Sequence, residues 1–427
     1  MPMGEKVKQI RQAKGATQQQ LSDELSITRS RLSQLENGED AVYGDFSPDT
    51  LMQIQRALKV MGLPLIEADR MGFKHKLFKW NDLIASRKIE EAKEMRQKLS
   101  VITFAPFDEE LNVLFNLIDS RLELSFGNIL AAEEILKMVE DKYSDNLNNE
   151  FKSLYYRSKG WLYYLGGKFQ ESLSFVMKAF ELGTNDEQNA GIYLTIAMAL
   201  NKCGYMLHSC MFLEEGLKLC EAEQNSTLKR HMSIMLVNIY IGLNHLVDAK
   251  GLLDKMYREA KDTGDNKFLC GVLLGYGYMF RCAGSYGIAH DYFDEAMEYA
   301  DKESEYYLEV LYQRARCCIA AGGFATCEEL LEEGKLLSKN NKHDTIMFNS
   351  LGHLTTLKKD ESIEYLETIT LPHLLNEVPD YAVALDYCEC LRRHYEQKSV
   401  GTIKKALETE KLITHIYKLM FSKGALK

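Results

Sequence analysis

The sequence predicts an all-α protein, on the evidence of proline placement, composition and a repeated spacing. The six prolines are Pro2, Pro48, Pro64, Pro106, Pro372 and Pro379, so the whole interval between Pro106 and Pro372 lacks the strongest helix breaker. That interval is rich in Leu, Ala, Glu, Lys and Met and shows no sustained apolar/polar alternation of the kind a strand requires. Small residues recur at Ala92, Ala132, Ser172, Ser209, Ala249, Ala289 and Cys327, separated by 40, 40, 37, 40, 40 and 38 residues. A chain of 427 residues exceeds what one hydrophobic core supports, so several folding units or an elongated array are expected.

Each small residue belongs to a longer pattern. Three positions earlier stands a large apolar residue: Ile89, Ile129, Phe169, Met206, Leu246, Tyr286 and Phe324. Two positions before most of these comes a turn former, at Gly127, Gly167, Gly204, Asn244, Gly284 and Gly322. A tight turn, an apolar plug and a small residue describe a helical hairpin whose two helices cross closely. About nine helix pairs follow from residue 72 to the end. The last two are irregular, punctuated by Leu371-Pro372-His373 and Val378-Pro379-Asp380.

Residues 4–61 follow a different grammar. Glu5–Lys14 forms a first helix with Val7, Ile10 and Ala13 on one face, stopped by Gly15. Thr17 caps a second helix, Gln18–Leu25, with Leu21, Ser22 and Leu25 inward. After Ser26-Ile27, Thr28 caps a third helix, Arg29–Glu36, with Leu32 and Leu35 inward and Asn37-Gly38 as its stop. Pro48 opens a further helix over Asp49–Met61.

Two resemblances follow from these residues. The string from Thr17-Gln18-Gln19-Gln20-Leu21 to Leu35-Glu36-Asn37-Gly38 resembles the Xre/phage-repressor class of helix-turn-helix over about 55 residues. Gly160-x-x-Tyr163, Phe169-x-x-Ser172 and Ala179, and again Gly277-x-x-Phe280, Tyr286-x-x-Ala289 and Ala296, resemble tetratricopeptide repeats, with a spacing longer than that family's 34. The first resemblance implies a DNA-binding set of Gln18, Thr28, Arg29, Ser30, Arg31 and Gln34, with Gln18 at a phosphate and the others on the recognition helix. It also implies a buried Arg11–Glu36 ion pair. The physics agrees, since a helix N-terminus holds phosphate and Arg and Gln read base edges in the major groove. Ser26 occupies the place of the family's turn glycine, at some backbone cost. The expected domains are residues 1–66, binding DNA, and 67–427, a right-handed superhelix of tetratricopeptide-like pairs.

Charge qualifies the DNA reading. Residues 1–70 carry nine Lys/Arg against ten Asp/Glu, and the loop Glu39-Asp40 to Asp45 is acidic. Nonspecific phosphate attraction is therefore weak, and a homodimer (or tetramer) reading a two-fold operator in double-stranded DNA is expected.

An Xre-type module followed directly by such repeats is similar to the RRNPP superfamily of peptide-pheromone receptors, most of all its NprR branch, and Asp360–Leu366 through Pro372 with Asp386-Tyr387-Cys388 resembles the C-terminal repeats of that superfamily. The resemblance implies a cytoplasmic regulator that holds a short linear signalling peptide in a concave groove. Laid on the repeat register, it implies peptide contacts at Arg157, Trp161, Asn201, Asn238, Tyr278, Arg281, Tyr312, Gln313, Arg316 and Asn349. Amides suit this task because one side chain both donates to and accepts from a peptide bond. Two other readings stay open: a response-regulator phosphatase or sequestering protein, and a DNA-tethered scaffold that senses no ligand.

Other chemistries lack signals. There is no P-loop, GxSxG, HExxH or dinucleotide fingerprint. Neither the scattered histidines nor the ten cysteines, all from Cys203 onward, show metal spacing, so no cofactor or metal is expected and the cysteines read as buried free thiols. The longest apolar run, near Leu269–Phe280, is too short to span a bilayer, and no membrane partner is expected.

Overall fold

The computed structural model describes residues 3–37, 53–54, 56–58, 67–85, 88–100, 109–143, 147–183, 190–222, 225–302, 304–356, 360–397 and 402–421. Among these every regular element is a helix. Gly38, the acidic loop and most of the Asp49–Met61 helix lie outside the described residues; Ile54 and Ala57 are helical.

The N-terminal module comprises α1 (Met3–Ala13), α2 (Gln18–Glu24) and α3 (Arg29–Asn37). Its core is Val7, Ile10, Leu21, Leu25, Leu32, Ile54 and Leu58. Thr17 and Gln20 form a capping box on α2, and Thr28 Oγ1 accepts the Arg31 N–H at the start of α3. Ser26 adopts φ 55°, the left-handed conformation that its glycine-like position requires. Two inward assignments are corrected. Ala13 is exposed, because α1 ends there, and Leu35 is only half-buried, because Glu36 takes the inward place on α3.

The repeats follow as pairs. They are α4 (Glu67–Ala85) with α5 (Ile89–Ser100), α6 (Glu109–Ser125) with α7 (Ile129–Tyr143) and, after α8 (Asn149–Leu165) and α9 (Phe169–Glu181) in sequence, α10 (Ala190–Lys202) with α11 (Met206–Ala222). Then come α12 (Ser226–Gly242) with α13 (Leu246–Thr263), α14 (Asn266–Cys282) with α15 (Tyr286–Tyr299), and α16 (Glu305–Ala320) with α17 (Phe324–Leu337). The chain ends with α18 (Lys342–Leu354), α19 (Asp360–Tyr365), α20 (Tyr381–Gln397) and α21 (Ile403–Met420).

The apolar plugs prove to be the first residues of α5, α7, α9, α11, α13, α15 and α17. All seven small residues one turn further on have no exposure at all. A larger side chain there would hold the paired helices apart. The turn residues Gly127, Gly167, Gly204, Asn244, Gly284 and Gly322 all have positive φ.

The punctuation at Pro372 is corrected. The helix begun by α19 continues through two π-helical segments, Leu366–Thr370 and His373–Glu377, closed by Leu371 N–H to Leu366 and Val378 N–H to His373. Proline lacks an N–H and its ring crowds the carbonyl four residues back, and the wider turn relieves both demands without ending the helix. Pro379, by contrast, does follow a helix end.

The chain divides into two compact units, residues 1–166 with 178–185, and residues 167–177 with 186–427. Beyond the N-terminal module the first unit has one core, built on Leu77, Trp80, Leu111, Leu114, Leu117, Leu136 and Phe151. In the second unit one core joins residues far apart in sequence: Leu194 and Leu236 with Leu311 and Phe348, and these with Ala384, Tyr387 and Ile416. The cause is α20, which returns against the first helices of earlier pairs. Lys202 Nζ donates to the Pro379 carbonyl at 2.9 Å across 177 residues. Tyr381 lies against Gly204, where an added β-carbon would sit 3.1 Å from its ring, and Ala382 lies against Gly242.

Candidate functional site

In the N-terminal module Arg11 and Glu36 form the expected pair: Nε to Oε1 at 2.6 Å and Nη2 to Oε2 at 2.8 Å, with Glu36 1% exposed. Arg11 also donates to the Ala16 carbonyl at 2.9 Å. Glu36 raises the Arg11 pKa through this hydrogen bond, against the effect of burial. The pair fixes α3 on α1, so that Arg29, Ser30, Arg31 and Gln34 stand exposed on one short helix, with exposed Thr28 just before its start. Gln18 differs from these: it is half-buried and its amide donates to Glu36 Oε2 at 2.9 Å. Its side chain is engaged within the module, and what α2 offers a phosphate is its N-terminal backbone N–H groups.

The second unit holds a cavity of about 310 Å³ between the first helices of successive pairs and the returning α20. Asn201, Asn238, Tyr278 and Gln313 line it, four of the ten residues assigned to peptide contact. Gly271 and Gly275 let Tyr306 and Leu253 pack closely in its wall, and Pro379 to Val383 close it. Glu309 also lines it, accepting from Gln313 Nε2 at 2.8 Å. Glu309 is exposed at its surface, yet desolvation raises its pKa, and Gln313 and Arg316 oppose the shift. Lys202, also in the lining, has its pKa lowered by burial against the pull of Asp380.

Three more assigned residues lie one helical turn away. Arg281 stands three residues after Tyr278 on α14, and Arg316 three after Gln313 on α16, with Tyr312 beside it. Arg281 and Arg316 lie over the rings of Tyr278 and Tyr312, at 5.2 and 5.5 Å from the centroids. Both guanidiniums pair with Asp386 of α20.

The remaining three sit elsewhere. Asn349 on α18 hydrogen-bonds Tyr365 instead of lining the cavity. Arg157 and Trp161 belong to the first unit, Arg157 being buried and Trp161 stacked on Tyr164 at 5.1 Å. The sequence reading did not single out Glu309, Asp380 or Asp386. Asp380 stands there only in the turn Val378-Pro379-Asp380 and Asp386 only in the family resemblance, with no role at the site, since the return of α20 is what gives them their neighbours.

All ten cysteines are free, as expected, and eight are buried; the expectation of burial is corrected for Cys282, which is exposed, and Cys390, which is half-buried. Among the described residues no cluster of three or more His, Cys, Asp or Glu could hold a metal ion, and no helix is long and apolar enough to cross a membrane.

A helix-turn-helix module with an exposed third helix, followed in the chain by helical pairs that enclose an amide-lined cavity, defines a class: helix-turn-helix proteins carrying tetratricopeptide-like repeats. Residues 7–60 match the helix-turn-helix family HTH_3. The transcriptional activator NprA of Geobacillus stearothermophilus is 21% identical over 351 residues, covering 76% of this chain and 82% of that protein. Among solved structures, NprR in complex with its cognate peptide NprX matches with a TM-score of 0.64 at 19% identity, over 81% of this chain and 99% of that one. A Rap protein complexed with competence and sporulation factor matches with a TM-score of 0.69 at 13% identity, over 82% and 99%. The chain shares the fold of these solved structures, with an HTH_3 match at its start and tetratricopeptide-like helix pairs after it, and the relative of similar sequence is named a transcriptional activator.

Proposed function

We propose that this protein is a cytoplasmic transcriptional regulator whose grip on operator DNA is set by a short linear peptide held in the second unit. The observation that carries the reading is the convergence of Asn201, Asn238, Tyr278 and Gln313 on one cavity. Two amides on successive first helices can hold a peptide backbone by paired hydrogen bonds, and a tyrosine ring packs a side chain. The relatives support it: one is a transcriptional activator and one solved neighbour holds a cognate peptide.

In this reading residues 1–66 are the output. Arg29, Ser30, Arg31 and Gln34 meet base edges and backbone, while the N-terminus of α2 meets a phosphate. Because the module carries no net positive charge, two copies in a homo-oligomer share the work on a two-fold site. Residues 67–427 are the input, and a ligand shifts DNA binding by its differential affinity for two arrangements of the repeats.

The test is to titrate synthetic peptides of about five to ten residues, drawn from small open reading frames beside the gene, while following promoter DNA by mobility shift. Peptide-dependent mobility that is lost in Asn201→Ala/Asn238→Ala, with the fold retained, is the expected result. Indifference of the complex to every such peptide would sink the reading.

A further inference from the structure

We infer that Arg281 and Arg316 form a carboxylate seat beside the cavity, occupied here by the chain's own Asp386, and that a ligand carboxylate takes that seat by displacing it. The inference rests on the peptide-binding reading above and deepens it.

The charges do not balance locally. Arg281 and Arg316 side chains are 9% and 6% exposed, whereas their shared partner Asp386 is 52% exposed. Arg316 Nη2 contacts Asp386 Oδ2 directly, and Arg281 Nη2 lies 3.6 Å from the same oxygen. Among the described residues the buried Arg281 Nε and Arg316 Nη1 have no hydrogen-bond partner. Arg281 Nη2 also meets the Cys282 sulfur, at 3.5 Å. Two buried cations thus share one half-exposed anion. Glu309, the nearest other acid on α16, is already bonded to Gln313 and shifted toward its neutral form. Buried guanidiniums demand planar, bidentate acceptors, and one carboxylate reaching in from solvent under-serves two of them.

The seat is also in the right place. Tyr278 and Gln313 line the cavity, and Arg281 and Arg316 stand three residues further along the same two helices. On α20, Ala382 lines the cavity and Asp386 stands four residues on. One turn is about 5.4 Å, less than two extended residues at roughly 3.3 Å each. A peptide backbone on Asn201 and Asn238 therefore ends, or presents an acidic side chain, within reach of the pair. Asp386 is exposed enough to swing to water when replaced. Its release uncouples α20 from α14 and α16, which ties ligand binding to the helix that closes the cavity.

The probe is a pair of random heptapeptide libraries, one ending in a free acid without Asp or Glu and one C-terminally amidated with Asp and Glu. An amidated library lacking both residues is the control. Each is equilibrated with the full-length protein, and bound peptides are read by mass spectrometry. Wild type should retain carboxylate-bearing peptides over the control, and the better-retained arm shows whether a terminal or a side-chain carboxylate is preferred. Asp386→Asn, which removes the internal competitor, should raise that retention about tenfold, the gain expected if the seat is about nine-tenths self-occupied. Arg316→Gln should abolish the preference while circular dichroism reports an intact helical fold. Equal retention of the control library, or an Asp386→Asn protein that melts lower without binding carboxylates better, overturns the seat and leaves the peptide reading standing. Retention of no peptide from any library overturns both.

Discussion

Replacing Glu36 with alanine should unfold the helix-turn-helix module while leaving the repeats folded. Glu36 has a fully buried side chain and accepts from Arg11 Nε, Arg11 Nη2 and Gln18 Nε2, and the Arg11 side chain is only 8% exposed. The alanine variant leaves Arg11 with the Ala16 carbonyl as its remaining acceptor among these bonds. Breaking a buried pair from one side costs about 3–5 kcal/mol, since a desolvated charge is left uncompensated. The described core of the module holds seven buried apolar side chains, and a core of that size supplies no more than about 3–5 kcal/mol of net stability. The loss therefore equals the reserve. Hydrogen exchange on the full chain should show residues 3–37 unprotected in Glu36→Ala, with α10 to α18 unchanged, and the mobility-shifted DNA complex should vanish. A double variant, Arg11→Met/Glu36→Leu, should regain most of the protection because no buried charge remains. If Glu36→Ala keeps wild-type protection, or the double variant is as damaged as the single one, the ion pair does not carry the module's stability.

Three other outcomes follow from particular contacts. A β-carbon at Gly277 would overlap the ring of Phe293, so Gly277→Ala should cost about 1–3 kcal/mol in chemical denaturation. Burial pushes the thiols of Cys203, Cys210 and Cys388 up to about 12 and those of Cys270, Cys317 and Cys327 to about 11. In native protein at pH 8 a thiol reagent should reach Cys282 and Cys390 first, as counted by mass. The folded state holds these protons when the unfolded chain begins to lose them near pH ~8.5, so stability should fall as pH rises beyond that point. In the first unit Arg96 pairs with both Asp119, at 2.7 Å, and Glu123, at 2.6 Å. Burial raises the Asp119 pKa despite Arg96, and Glu123 adds to the rise. The ionised form is therefore the strained one, and Asp119→Asn should cost under about 1 kcal/mol in urea denaturation at pH 7. Arg96→Ala strands two carboxylates and should cost about 2 kcal/mol, the pair being discounted because Arg96 is a third exposed.

The sequence by itself determined what a few neighbouring residues can enforce. Turn, plug and small residue lie within about six positions of one another, and each answers a local demand: a left-handed turn, a helix start, a close crossing. That is why Ala92 to Cys327 all proved fully buried and why Gly127 to Gly322 all took positive φ. The same holds for Thr17 and Thr28 as caps, and for Arg11 with Glu36, whose helices belong to one short module. The amides Asn201 and Asn238 were legible because the repeat period sets which face of a first helix is inward.

The tertiary structure alone decided the rest. Pro372 reads locally as a break, but a π-helical turn accommodates it. Asn349 shares the inward register, yet its neighbour Tyr365 engages it. Asp386 meets Arg316 across 70 residues, and Pro379 meets Lys202 across 177. The path that returns α20 to α10 through α16 sums small rotations over several helix pairs. Such a sum leaves no trace in any one stretch of sequence, and it is what encloses the cavity and sets a carboxylate between two buried guanidiniums.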